Sequence, residues 1–151
     1  MVPGNPGFIR RRRASGHPVG GAVGLANLDI IERENLVENS ARMGAYLLDR
    51  LRRRVGDNPF VGEVRGAGLM VAVEFVADRK TRRFFDPEAE AHRIVARRAR
   101  EQGVLLRALP GGEIVAFSPP LCISESEIDE AVDCFARGLE LAMPELRRLA
   151  E

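Results

Sequence analysis

The sequence predicts an α+β fold in two layers, a short antiparallel or mixed sheet covered by helices. Apolar stripes and cap signals mark four helical segments, and in two places between them the hydrophobic period drops from 3.6 to 2. Each of those places holds two short β-rich runs divided by glycine, the pattern of a hairpin. The order helix, helix, strands, helix, strands, helix then leaves one small sheet with helices to cover it.

Residues 1–14 are proline, glycine and arginine with little apolar content, and are expected to be irregular. From Ser15 to Glu151 the pattern is that of a single domain. Ser15 is read as the cap of a first helix with Pro18 in its opening turn, where a missing N–H is harmless. Val19, Ala22, Val23, Ala26 and Ile30 follow at helical spacing, on a helix thinned by Gly20, Gly21 and Gly24.

Asn35 and Glu38 read as a cap and its reciprocal acceptor, opening a second helix to about Val55 with an inner stripe of Val37, Ala41, Leu48, Leu51 and Val55. Gly56 and Pro59 stop it. The runs FVGEVR and LMVAVEFV, on either side of the turn Gly66–Gly68, predict two strands with Leu69, Val71, Val73 and Phe75 on one face.

A charged loop leads to Asp86 and Pro87, read as the cap and first turn of a third helix ending near Gly103. VLLRAL and IVAFS, flanking Pro110–Gly112, repeat the hairpin pattern. Ser124 and Glu127 form a capping box for a last helix whose inner face is Ile128, Val132, Phe135 and Leu139, until Pro144 interrupts it.

With 23 basic and 22 acidic residues the chain lacks the strong positive balance of a general nucleic-acid binder. No run is long and apolar enough to span a bilayer, and the proline and glycine of the first residues break the amphipathic helix of a transit peptide, so the expected location is cytoplasmic. Cys122 and Cys134 have no metal-ligand spacing and read as reduced packing thiols. His17 and His92, the only histidines, each read as a cap or helix-surface residue rather than as a catalyst. Glu90, Arg93, Arg97 and Glu101 read as a solvated face of mixed charge. The glycine turns match neither a P-loop nor a dinucleotide loop.

Four motifs in order carry more information than any of these residues alone: SGHPV opening a small-residue helix, ANLDIIE closing it, VGEVRGAGLM across the first hairpin, and VLLRALPGGEIVAFSPPLCISESEIDE near the end. Together they resemble the C-terminal part of class III pyridoxal phosphate-dependent aminotransferases, nearest to the omega-amino acid:pyruvate branch. The resemblance implies the small domain of a fold type I enzyme, which closes over an active site at a dimer interface. It also implies that Arg107 is the mobile arginine that pairs with the substrate carboxylate. A planar guanidinium suits that task, because it offers two parallel N–H donors to the two carboxylate oxygens.

The same resemblance implies what this chain lacks. Transamination needs a lysine to hold the cofactor as a Schiff base, and in the family it lies in the large domain. The only lysine here, Lys80, falls in a polar loop and does not match that position. Where the family has a threonine that reaches the cofactor phosphate, this sequence has Arg13 within the run Arg10–Arg13.

The expected function is therefore that of a C-terminal fragment of such an enzyme, truncated, frameshifted or separately expressed. It is expected to be inactive alone, to bind no pyridoxal phosphate stably, and to pair with itself or with a complementary large domain. A second reading, of a different class, is a non-catalytic binding module whose Arg10–Arg13 cluster engages an anionic partner such as RNA. No aromatic residues interleave with that cluster beyond Phe8, and no nucleic-acid fold motif follows.

Overall fold

The computed structural model describes residues 17–109 and 113–151. Contacts divide the chain into two units, residues 1–35 and 36–151. The described part of the first unit is helix α1, Pro18–Arg33, with Pro18 at its start as read from sequence. His17 occupies the cap position without a side-chain cap bond, and Ser15, the expected cap, lies outside the described residues. No residue of α1 is buried, and Val19, Val23, Leu25 and Leu28 are each more than half exposed.

Asn35 departs from its expected role. Its backbone is left-handed, with φ 50°, and helix α2 begins after it at Leu36. A capping side chain reaches back to its helix from an extended backbone, whereas left-handed asparagine suits the end of a helix. Asn35 accordingly follows the last turn of α1, its N–H donating to the Glu32 carbonyl.

Helix α2 runs Leu36–Val55 and buries Met43, Gly44, Leu47, Leu51 and Val55. The expected stripe was rotated: Val37 and Ala41 are exposed, Leu48 is half-buried, and only Leu51 and Val55 were assigned correctly. Polar bonds along one flank set the actual rotation. Asn39 donates to the carbonyls of Leu121 (2.7 Å) and Ile123 (3.2 Å), Arg50 meets Asp129 at 2.6 Å, and Arg54 meets Asp133 and Glu140 at 3.5 Å each. The Tyr46 hydroxyl also bonds Asp129, which raises the tyrosine pKa by favouring its protonated form.

Four strands form one antiparallel sheet in the order β1-β2-β4-β3: β1 is Val61–Ala67, β2 Met70–Phe75, β3 Arg107–Leu109 and β4 Ile114–Phe117. The first hairpin is tighter than expected. Gly66 and Ala67 belong to β1, and the turn is Gly68–Leu69, with Gly68 at φ 53°. Leu69, Val71, Val73 and Phe75 are buried on one face, as their alternation predicts. Helix α2 rests directly on this turn, since a Cβ at Gly44 would stand 2.1 Å from the Gly68 carbonyl oxygen.

The single third helix expected from Asp86 is two pieces. Asp86 does cap, accepting from the Glu88 N–H at 2.9 Å, but it caps a 3-10 turn at Pro87–Ala89. Glu90 then turns left-handed (φ 46°), and helix α3 occupies Ala91–Glu101. Of the expected charge pairs, Arg93 meets Glu90 at 3.1 Å, while Arg97 reaches across to Glu145.

Helix α4, Glu125–Ala150, opens with the predicted capping box at Ser124 and Glu127. Those bonds hold the Glu127 carboxyl below its ordinary pKa. Ile128, Val132, Phe135 and Leu139 form its inner face as expected, but Pro144 does not end it. Proline removes one helix hydrogen bond, and here packing outweighs that loss: Ala142 and Leu146, on either side, are fully buried. Cys134 is buried, as a packing thiol should be; Cys122 is exposed, so that reading fails for it.

Helix α4 packs against both α2 and α3, while α2 lies on β1 and β2 and α3 on β3 and β4. Phe135 of α4 meets Phe117 of β4 edge-on at 5.2 Å between ring centroids, which joins the helices to the sheet. No helix among the described residues is long and apolar enough to cross a membrane.

Helices α3 and α4 pass closely at Gly138, where a Cβ would stand 2.5 Å from Ala99 Cα. Gly138→Ala is therefore expected to lower stability by about 1–3 kcal/mol despite alanine's better helix propensity. Urea unfolding followed by circular dichroism measures this; an unchanged or raised midpoint would mean that α3 and α4 do not touch there.

Candidate functional site

The sheet has a covered face and an open one. Val64, Val71, Val73, Val115 and Phe117 are buried beneath the helices, and the residues alternating with them point the other way. Cross-strand pairing arranges the open face in rows. Arg65 pairs with Ala72, Ala72 with Ala116, and Ala116 with Arg107, so one row runs Arg65, Ala72, Ala116, Arg107. The adjacent row runs Glu63, Glu74, Ile114, Leu109 by the same registers.

The two arginines at the ends of that row differ in electrostatic state. Arg65 is neutralised by Glu74 at 2.6 Å and Glu63 at 2.8 Å, and these bonds, Glu74 first, raise its pKa. Arg107 begins β3, an edge strand, and is exposed. Among the described residues it makes no ion pair or side-chain hydrogen bond. A guanidinium that no described residue pairs with has N–H donors to offer an anion.

The remaining expected features do not converge on it. Lys80 sits in the turn after β2, where the Asp78 carboxylate accepts from the backbone N–H of Lys80 (2.8 Å) and Thr81 (3.4 Å); these bonds lower the Asp78 pKa. It lines a surface groove with Asp57, Pro59, Phe60, Ala77, Asp78 and Arg79. The Arg10–Arg13 cluster lies outside the described residues. Among the described residues no three His, Cys, Asp or Glu side chains are grouped to hold a metal ion.

The described residues do not make a site for pyridoxal phosphate. A Schiff-base lysine works in a shielded pocket with an acid at the pyridine nitrogen and a surface for the ring. Lys80 is instead exposed, on an open groove whose other charged residues are Asp57, Asp78 and Arg79.

One buried pair was missed in the sequence. His92 was expected on a helix surface but is only 6% exposed, as is Glu113. Glu113 Oε2 accepts from the His92 backbone N–H at 2.7 Å and lies 3.1 Å from His92 Nδ1. The signal available was alternation: Glu113 shares its face with Val115 and Phe117, so a carboxylate points into the core and needs partners there.

Comparison with known proteins gives this geometry a context. Residues 14–139 match the family model of aminotransferase class-III. A diaminobutyrate–2-oxoglutarate transaminase from Halomonas elongata is 44% identical over 134 residues, covering 89% of this chain and 29% of the relative. An isoleucine 2-epimerase from Lentilactobacillus buchneri is 40% identical over 118 residues, covering 78% of this chain and 25% of the relative. The solved omega transaminase from Pseudomonas jessenii in complex with PMP is 44% identical with a TM-score of 0.80, covering 87% of this chain and 28% of that one. The chain thus spans under a third of the length of these relatives. It belongs to the aminotransferase class-III family.

Proposed function

We propose that residues 15–151 are the small C-terminal domain of a class III aminotransferase, and that Arg107 is its carboxylate-binding residue. The observation that carries this reading is Arg107, exposed and without an ion pair among the described residues, on a sheet of a chain that matches the family over residues 14–139. In the complete enzyme, pyridoxal phosphate would supply the electron sink for chemistry at the substrate's amino-bearing carbon. This segment would orient the substrate by its carboxylate, through two N–H donors of Arg107. The lysine and the cofactor's other partners belong to the rest of the enzyme, so the chain is inactive alone.

Relatives named for amino transfer and for epimerisation match the segment about equally well, at 44% and 40% identity. A part compatible with both outcomes does not choose between them. What both names share is a substrate that bears a carboxylate, a group that a guanidinium can hold. A homo-oligomer, or a complex with a complementary large domain, is the assembly this reading calls for. The free thiols Cys122 and Cys134 agree with its cytoplasmic setting.

Two measurements test the reading. The purified chain mixed with pyridoxal phosphate is expected to leave no aldimine absorbance after dialysis. An adduct that persists, turns over an amine and disappears in Lys80→Ala would overturn the inactive fragment.

The second measurement uses this chain co-expressed with the preceding portion of a class III relative. Arg107→Ala is expected to raise KM for a carboxylate-bearing amino donor about 10- to 100-fold, the loss of one charge-assisted pair. It should leave a donor without a carboxylate within about twofold. Arg107→Lys is expected to recover only part of the loss, because an ammonium cannot form the two parallel bonds. Equal losses for both donors would sink the assignment of Arg107.

A further inference from the structure

Helix α3 begins without a local cap. Its N-cap residue, Glu90, is left-handed and makes no side-chain cap bond, and there is no acid in the first turn. The exposed N–H groups at a helix start need acceptors, and the helix dipole favours a negative one. That acceptor comes from 21 residues further on, as Glu113 Oε2 takes both the His92 backbone N–H and the His92 ring nitrogen. The Glu113 backbone carbonyl accepts from the Phe75 N–H at 2.7 Å, which extends the bonding between β2 and β4 beyond the start of β4. One residue therefore joins α3, β2 and β4, and its neighbour Ile114 pairs with Leu109 at the end of β3.

We propose that His92 and Glu113 are positioning residues for Arg107, a buried latch at the turn end of the β3–β4 hairpin, where Ile114 pairs with Leu109, that holds the register of the three-residue strand from which Arg107 projects. The inference rests on the carboxylate-binding role of Arg107 for its purpose, but not for its geometry. Strand β3 has three residues and lies at the sheet edge, paired only with β4. So short an edge strand does not hold its own register, and α3 and β4 are its neighbours in the fold. Pinning those two together at Glu113 holds the strand. Arg107 then seeks its ligand by side-chain rotation alone, from a fixed backbone.

Amide hydrogen exchange of this chain, read residue by residue by NMR, tests the latch with no assay of catalysis. In Glu113→Leu, which keeps an apolar side chain in place but removes the acceptor, the protected amides of β3 and β4 are expected to exchange at least about tenfold faster than the same amides in the unsubstituted chain. Those at the centres of α2 and α4 should change by no more than about twofold. The Arg107 Nε–H signal should report greater motion in the same variant.

His92→Phe, which keeps the ring but not its nitrogen, should move the same amides in the same direction to a smaller extent. His92→Asn, which places an N–H near the position of Nδ1, should restore them. Equal acceleration throughout the 36–151 unit would overturn the proposal, since that is a loss of global stability alone, and so would no change in β3. If Glu113→Leu fails to fold, the His92→Phe and His92→Asn comparison decides on its own. A normal latch combined with unselective Arg107→Ala kinetics would refute the carboxylate reading instead, so the two failures appear in different experiments.

Discussion

The close passage of α4 over α3 at Gly138 is the contact on which the other packing depends. With no side chain at 138, the two backbones meet over Ala99, which is fully buried. At that depth Phe135 reaches Phe117 on the sheet, and Ile128, Val132 and Leu139 fill the space beneath α4. The same helix presents Asp129, Asp133 and Glu140 to the arginines of α2, so both neighbouring helices are held by one element. The apolar interior supplies most of the stabilisation; the surface pairs are individually weak and chiefly select the rotation of α2.

Within the 36–151 unit the helices cover one face of the sheet and, among the described residues, leave the other uncovered. The pleat sends Val71, Val73, Val115 and Phe117 into the core, and the residues between them form the rows that end in Arg65 and Arg107. Charge then divides the two arginines. Glu63 and Glu74 occupy the row beside Arg65 and satisfy it, while the positions beside Arg107 in that row are the apolar Leu109 and Ile114. Within that row, then, no acid offsets the charge of Arg107 as Glu63 and Glu74 offset that of Arg65.

What was legible in the sequence was whatever short-range physics decides. The Ser124–Glu127 capping box needs only residues three apart, and the alternation of Leu69, Val71, Val73 and Phe75 needs only one strand; both are present as read. The rotation of α2 was not legible, because it is set by Asn39 reaching the carbonyls of Leu121 and Ile123, more than 80 residues away in sequence. Nor was the start of α3. Asp86 and Pro87 carry a sound local signal, but Glu113 supplies the acceptor at His92 and the α-helix begins there instead. Pro144 misled for the same reason, since the burial of Ala142 and Leu146 is a property of the packed molecule. The motif singles out Arg107 in the sequence, but its register opposite Ala116 is not in the motif at all.

These long-range determinants share a direction: each ties a locally weak element to a strong one. Helix α3 lacks its own cap and takes an acceptor from Glu113, the residue before β4, and β3 is too short to hold itself and leans on β4 and α3. The weak elements are the ones next to Arg107. An anion-binding side chain is most selective when its backbone is fixed and its own torsions remain free, because the entropy lost on binding is then confined to one side chain. A restraint at the turn end of the hairpin, as proposed for Glu113, would meet both conditions. It leaves the edge strand uncovered on its open side, where a ligand can approach, while the restraint is applied from the core side through Glu113.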